Sequence, residues 1–275
     1  MNNAFAAWKW SLGVVAHSYR TVMVLAALIG VWALAAYEWL GLPAESSGLM
    51  MILAFLWAIV QLLAAAAMVG GTLTGATEAA ATEGRSFPLR ALWRMGWKTV
   101  VTALVFGLAS MMIVWLCSAV FDWLNASSVE VASFLTFHAG RPVSHMRIEK
   151  IYNVLEGLWW MVFGGFLLSF FITLLRMGWR GAGKQTGKLL AGCAFRTPFL
   201  TNLLSVVVFG GIAYELANWH PRLPAGFWDY TQMVVRFSLI LILISAGALF
   251  WSLSLAGMQI PKQESSLEGQ GGPIL

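Results

Sequence analysis

The sequence predicts an all-α, polytopic integral membrane protein, a bundle of six transmembrane helices with both termini in the cytoplasm. Only 11% of its 275 residues are charged and 59% are hydrophobic, whereas about a quarter of a soluble domain is charged. Six apolar runs each supply the roughly 20 residues that a helix needs to cross the hydrocarbon core of a bilayer. These runs are continuous rather than alternating, which excludes a transmembrane β-barrel.

The same composition excludes a nucleic-acid-binding protein, although the pI is about 9.5. The 15 Trp and 17 Phe residues add more apolar surface than a water-exposed domain could cover. The sequence contains no glycine-rich phosphate loop, zinc-protease helix or nucleophile elbow. We therefore predict no catalytic residue, no metal site and no cofactor, and an enzyme is the less favoured class.

Residues 1–21 are predicted to form an amphipathic helix on the cytoplasmic membrane interface. Apolar side chains recur along this segment at the spacing of one helix face: Phe5, Trp8, Leu12, Val15 and Tyr19. Trp together with Lys is the usual composition of the headgroup region. A membrane anchor is the simplest interpretation, and a contact helix for a cytoplasmic partner is the alternative.

The transmembrane domain covers residues 22–257, and its spans follow the apolar runs in chain order. The first run begins too far from the N-terminus, and lacks the small-residue cleavage site, to be a removable signal peptide. The six spans are predicted at Val22–Leu40, Leu49–Leu73, Val100–Phe121, Ile151–Leu175, Leu200–Ala217 and Val235–Leu255. Residues 258–275 are predicted to be a flexible cytoplasmic tail.

The distribution of Lys and Arg predicts the orientation of the spans. Twelve of the 17 basic residues fall on the side of the N-terminal segment, the second and fourth connectors and the tail. Short cytoplasmic loops carry the excess of basic residues in membrane proteins. Both termini are therefore placed inside, and we assign the protein to the plasma membrane, as in a bacterial inner membrane.

Two basic connectors between spans are the candidate contact surfaces on the cytoplasmic side. They cover 75–98 and 176–196 and place basic and aromatic residues at the headgroups. Anchoring on anionic lipid explains them most simply, at about 1 kcal/mol for each Lys or Arg. The alternative is a pair of short amphipathic helices that dock a protein partner. The candidate residues are Arg90, Arg94, Trp97, Lys98, Arg176, Trp179 and Arg180.

Gln61 is the most informative polar residue inside a span. It lies near the middle of the second span, where an unpaired amide would be costly, so it must meet another helix, a cavity or water. Gly71 and Gly75 form a small-residue pair further along the same segment. Packing between helices is the simpler interpretation of these residues, because small and polar residues commonly serve helix association.

Ionisable residues share one depth near the outer ends of the spans. Glu156, Glu215 and Arg236 lie a few residues inside, and Glu38 and Asp122 lie at the same level. They could form a cation-attracting mouth, a proton-relay entrance or an ion-pair cluster around Arg236. Exposure at the interface, where charged groups reach water cheaply, is the competing interpretation.

The longest outer loop, 122–150, is predicted to contain a short helix. Ser127 and Glu130 have the spacing of a capping box, and apolar residues continue at helical intervals. His138, His145 and His220 lie on the outer side without a tight ligand spacing, so a metal site is disfavoured. Cys117 and Cys193 lie on opposite sides of the bilayer and are not expected to pair.

The topology resembles that of the six-span permeases of ATP-driven exporters, which keep both termini inside and present a short coupling helix between spans two and three. The resemblance implies such a helix within Glu78–Lys98. We therefore expect a non-catalytic membrane subunit of a transporter or of a larger membrane complex, with lipid and other membrane or cytoplasmic subunits as partners. The alternative is a self-sufficient lipid-processing or ion-conducting protein that uses the outer acidic residues.

Overall fold

The structure, a computed structural model, describes residues 4–40, 48–94, 96–219 and 226–259, and nearly all of these are helical. No strand occurs within these ranges. The helices are α1 Ala4–His17, α2 Tyr19–Leu40, α3 Gly48–Ala81, α4 Trp97–Ala126, α5 Ser128–Ala139, α6 His145–Phe195, α7 Thr197–Leu204, α8 Gly211–Asn218 and α9 Phe227–Gln259. A 3₁₀ turn, Leu89–Leu92, precedes α4, and a π turn, Ser205–Gly210, joins α7 to α8.

Among the described residues, six helical segments are long and apolar enough to cross a membrane, which confirms the prediction of an all-α, multi-pass membrane bundle. Each predicted span lies within the described helices, with α7, the π turn and α8 counted together as the fifth. Several helices run further than predicted. The second continues to Ala81 and ends where Glu83 takes a positive φ of 48°, with the Gly84 N–H bonded to the Ala79 carbonyl at 3.0 Å.

Close packing is concentrated at one end of the bundle, which we call the α1 end. The buried core there combines parts of α1, α3, α6 and α9, including Val14, Leu73, Phe171 and Leu253. Towards the other end, which carries α5, fewer residues are buried. Only 6% of the most apolar stretch of α3, and 6% of that of α4, is buried against the protein. Apolar surface of this kind requires lipid or another membrane protein around it.

Helix α1 packs into the bundle through its small residues. Ala7, Ser11 and Val14 are at most 1% exposed, and they recur at the spacing of one helix face. The bulkier Phe5 and Leu12, which belong to the predicted apolar face, are exposed. A Cβ on Gly257 of α9 would lie 3.3 Å from the ring of Trp10. The helix thus contacts α9 with one face, and the predicted apolar face is divided, because Phe5 and Leu12 are exposed whereas Val15 packs against the buried core.

The segment between α3 and α4 folds back along α3. Phe87 is buried, and its ring lies so close to Gly75 that a Cβ there would be 2.2 Å from Cζ. The Phe87 N–H donates to Ser18 Oγ at 2.7 Å. This connector contains a 3₁₀ turn, in which Ala91 and Leu92 are buried. The region is therefore held at the α1 end of the α2–α3 pair, against Ser18 and Gly75, rather than forming a free amphipathic α-helix.

Helix α6 is interrupted at Gly178, where the backbone has φ +71° and ψ 177°. A side chain at this φ would be strained, and glycine tolerates it. The rest of the helix turns back against the preceding part, since Cys193 Sγ lies 3.7 Å from Ser169 Oγ. The sequence predicts a connector between spans at 176–196, whereas in the structure the residues after Gly178 form a second helical arm of α6.

Helix α5 forms in the long outer loop, as predicted, but without the capping box. The Ser127 hydroxyl donates to the Leu124 carbonyl instead of accepting a hydrogen bond from the first turn of α5. The backbone of Ser127 is already helical, which leaves its side chain near the preceding helix. Residues 220–225 and 260–275 lie outside the described ranges, and with them His220 and most of the predicted tail.

Candidate functional site

The first half of the candidate contact surface lies beside the 3₁₀ turn. Arg90, Arg94 and Lys98 are exposed, and Trp97 is 72% exposed at the start of α4. The carbonyl of Arg90 accepts hydrogen bonds from the N–H groups of Trp93 and Arg94. Phe87 is anchored next to this segment, and the cationic and indole groups beside the 3₁₀ turn and at the start of α4 are exposed.

The second half lies at the bend in α6. Arg176, Trp179 and Arg180 are exposed, and an Arg176 guanidinium N–H donates to the Gln259 carbonyl at 3.0 Å. This bond ties the end of the first arm of α6 to the end of α9. Trp179 follows the break at Gly178 directly, so its indole is placed by the bend.

Packing between α4 and α6 brings these two halves to one level. The ring of Phe106 stacks on those of Phe170 and Phe171, with centroids 5.7 and 4.9 Å apart. Trp97 precedes Phe106 by nine residues and Trp179 follows Phe170 by nine. Because α6 is interrupted at Gly178, its last helical residue before the bend, Met177, lies about 10 Å beyond the aromatic stack, and the start of α4 lies about 13 Å beyond it on the same side of these antiparallel helices. We call the seven exposed residues around them the basic face: Arg90, Arg94, Trp97, Lys98, Arg176, Trp179 and Arg180.

Gln61 faces a groove between α2 and α3. Three indoles join these helices, and one of them, Trp32, donates its N–H to the backbone carbonyl of Gln61 at 3.0 Å. The side-chain oxygen of Gln61 is buried and has no hydrogen-bond partner among the described residues. A cavity of about 320 Å³ lies beside it, lined by α2, α3 and the 3₁₀ segment. A cavity is one of the three surroundings that the sequence predicted for this amide.

Glu156, Glu215 and Arg236 are among the ionisable residues near the α5 end of the bundle. Glu156 accepts a hydrogen bond from the Trp160 indole at 3.1 Å. Glu215 is exposed. Arg236 donates from Nη1 to the Trp219 carbonyl. Within the described ranges, no three His, Cys, Asp or Glu side chains come close enough together to hold a metal ion.

A buried polar contact that the sequence did not single out joins α6, α7 and α9. The amide of Asn202, which is 0% exposed, accepts from the Trp251 indole at 2.6 Å and donates to the Met161 carbonyl at 3.4 Å. It also lies against Gly165, where a Cβ would be 1.7 Å from Nδ2. Asn202 lies near the start of the predicted span Leu200–Ala217. The only signal in the sequence that could have identified it is a neutral amide next to a run of apolar residues.

A second polar contact closes the α1 end. Thr173 donates to the Gln259 side-chain oxygen at 3.2 Å, and Gln259 donates to the Ser169 carbonyl at 3.3 Å. Trp8 donates its indole N–H to Thr201 Oγ1 at 2.8 Å. These bonds tie α1, α6, α7 and α9 together. They satisfy polar groups at a packed helix junction and contain no ionisable group, so they fit a structural role.

Both cysteines are free, as predicted, with Cys193 buried. Comparison with protein-family models, with curated proteins and with solved structures finds no match to this chain. The structure alone thus carries the functional argument. It establishes a multi-pass helical membrane protein with an exposed basic face at the packed end of the bundle.

Proposed function

We propose that the protein is a non-catalytic membrane subunit of a transporter or of a larger membrane complex, inserted in a plasma membrane with its α1 end in the cytoplasm. One observation carries the proposal: the basic face is exposed, yet the backbone beneath it is anchored. Phe87 is packed on Gly75, and Arg176 is bonded to the end of α9. A surface held in this way loses little conformational freedom when a partner binds.

The residue types of the basic face suit a protein partner. Trp and Arg are the residues most enriched among those that dominate binding energy at protein interfaces. Five cations favour a partner that presents carboxylates, which would also speed association. We expect a cytoplasmic protein with an acidic, partly apolar surface to bind across Trp97 and Trp179, while the sparsely packed apolar sides of α3 and α4 contact lipid or further membrane subunits.

Anionic lipid is the competing ligand of the same surface. Headgroups would attract each Lys and Arg by about 1 kcal/mol and would not depend on the relative position of the two indoles. Protein docking does depend on the relative position of the two indoles, because one partner must contact both of them. The two ligands are therefore separated by replacing Trp residues while every cation is kept.

The first experiment is extraction of the chain from its native membrane in mild detergent, with mass spectrometry of everything recovered with it. A stoichiometric partner that is lost from Trp97→Ala and Trp179→Ala, and retained in Trp228→Ala, would support the proposal. Trp228 is a matched control, 65% exposed at the start of α9 and at the opposite end of the bundle from the basic face. Recovery of the chain alone, or a partner that is indifferent to both substitutions, would contradict it.

The alternative, a self-sufficient lipid-processing or ion-conducting protein, needs the carboxylates near the α5 end to act. It predicts that Glu156→Gln or Glu215→Gln removes activity while assembly is unchanged. The subunit proposal predicts that both variants keep normal assembly and normal activity of the complex. Testing both carboxylate variants beside the two Trp variants separates the two functions in one series.

A further inference from the structure

The second arm of α6, residues 179–195, has two opposite sides. One side faces the bundle, since Ala182 and Cys193 on it are at most 1% exposed. The other side is exposed, and cations follow one another along it at intervals of one helical turn: Arg180, Lys184 and Lys188. The arm is therefore an amphipathic helix that directs a line of positive charge away from the bundle.

The charges of this line have no counter-charge on their own helix. Residues 176–196 contain no Asp or Glu. Lys184 lies one turn from Arg180 and one turn from Lys188, and like charges at this spacing destabilise a helix. An anion bound beside Lys184 and Lys188 would relieve this repulsion, so the exposed side of the arm favours an anionic ligand.

The second arm returns from the bend toward the level of the fourth predicted span. Cys193 follows Gly178 by 15 residues, about 22 Å of helix, and its Sγ lies 3.7 Å from Ser169 Oγ. Ser169 itself lies inside that span, nine residues before Gly178. Lys184 and Lys188 lie between these two points, where the span ends. Lysines at the end of a span reach the headgroups of the bilayer.

The surroundings of the two lysines suit a headgroup better than a protein. Gly183 and Gly187 are exposed beside them, and a Cβ on either glycine would meet nothing within 4 Å. A headgroup can therefore approach the helix closely. The stretch 184–188 contains no aromatic or Arg side chain, the residue types that dominate binding at protein interfaces.

We propose that Lys184 and Lys188 bind the phosphate of an anionic phospholipid. Lysine binds phosphate as a point charge, and two lysines one turn apart can contact the same phosphate group. Neither lysine belongs to the basic face, so the lipid site and a protein docked on Trp97 and Trp179 are compatible with each other. The site does not depend on which protein that is.

The test measures lipid binding to the purified full chain by native mass spectrometry. The probes are phosphatidylglycerol and phosphatidylcholine with identical acyl chains, so that only the net charge of the headgroup differs. The natural chain should retain phosphatidylglycerol more tightly. Replacing both lysines, Lys184→Gln with Lys188→Gln, should weaken phosphatidylglycerol binding about thirtyfold, roughly fivefold for each cation, and should leave phosphatidylcholine binding unchanged.

Two control variants define the site. Lys184→Arg with Lys188→Arg keeps both cations and should bind phosphatidylglycerol like the natural chain. Arg90→Gln with Arg94→Gln removes the same charge from the basic face and should leave phosphatidylglycerol binding nearly unchanged. Equal losses from the lysine pair and the arginine pair would overturn the proposal, because the lipid would then respond to net charge alone.

Thermal unfolding of the same variants gives a second readout. Without anionic lipid, the Lys184→Gln, Lys188→Gln chain should unfold at the natural temperature or slightly above it, because two like-charge pairs are removed. Phosphatidylglycerol should raise the unfolding temperature of the natural chain more than that of this variant. Equal binding of the two lipids by the natural chain would overturn the proposal, as would loss of a co-purifying protein from the lysine variant, which would assign the line of cations to a protein.

Discussion

Replacing Gly75 with alanine tests how the first basic connector is anchored. A Cβ on Gly75 would lie 2.2 Å from Cζ and 2.7 Å from Cε1 of the Phe87 ring, distances that packed atoms do not adopt. The ring is 4% exposed and its backbone N–H is bonded to Ser18, so it has little room to move aside. Either the core is strained or the ring leaves its site.

The magnitude follows from those two outcomes. Overpacking costs roughly 1–3 kcal/mol, and expelling a buried Phe side chain forfeits about 1.5–3 kcal/mol. Alanine recovers up to about 1 kcal/mol through its higher helix propensity. We therefore expect Gly75→Ala to lower the free energy of unfolding by about 1–2 kcal/mol. Gly157→Ala in α6, where a Cβ meets nothing within 4 Å, should be neutral or slightly stabilising.

The assay is equilibrium unfolding in mixed detergent micelles, with trypsin cleavage after Arg85 and Arg90 as a local probe. Gly75→Ala should accelerate cleavage at both sites, and Phe87→Leu in the same chain should restore part of the stability, giving a coupling energy between the two positions. If Gly75→Ala matches Gly157→Ala in stability and in cleavage rate, the packing of Phe87 on Gly75 is wrong.

Three further predictions concern the polar and thiol groups of the core. Gly165→Ala should destabilise the bundle by about 1–3 kcal/mol, because its Cβ would overlap the Asn202 amide; full stability in a denaturation curve would refute that contact. Asn202→Ala should cost a similar 1–3 kcal/mol by leaving the Trp251 indole N–H buried and unpaired, whereas a change below 0.5 kcal/mol would count against the bond. Cys193 should resist a water-soluble maleimide in folded Cys117→Ala protein and react once it is denatured, because its side chain is 1% exposed.

The spans were predictable because each depends on a sum over about twenty residues, so no single residue decides it. The ends of the helices were not. Hydropathy marks where the apolar run stops, at Leu73 in α3, whereas the helix continues to Ala81 through residues that tolerate a helix in water or at headgroups. Helix length beyond the bilayer is set by backbone hydrogen bonds, which hydropathy does not measure.

Some candidate residues could likewise be identified from the sequence, and others could not. Gln61 could be singled out because one amide in an apolar run is visible in the sequence, and the structure places it beside a cavity. Asn202 could not be interpreted, because its partners, Trp251 and the Met161 carbonyl, are far away in the chain. Gly178 could not be distinguished from Gly183 or Gly187 nearby, since only the fold decides which glycine takes a positive φ.

The packing of α1 against α9 has a consequence for how the protein is made. The small face of α1, with Ala7 and Ser11, is covered mainly by α9, which leaves the ribosome after α2 to α8. Until α9 inserts, that face lacks most of its contacts. Closing a contact over so many residues slows folding, and the uncovered face can pair with the wrong helices. Closure of the α1 end therefore depends on α9, and a chain that stalls before α9 should leave the small face of α1 exposed.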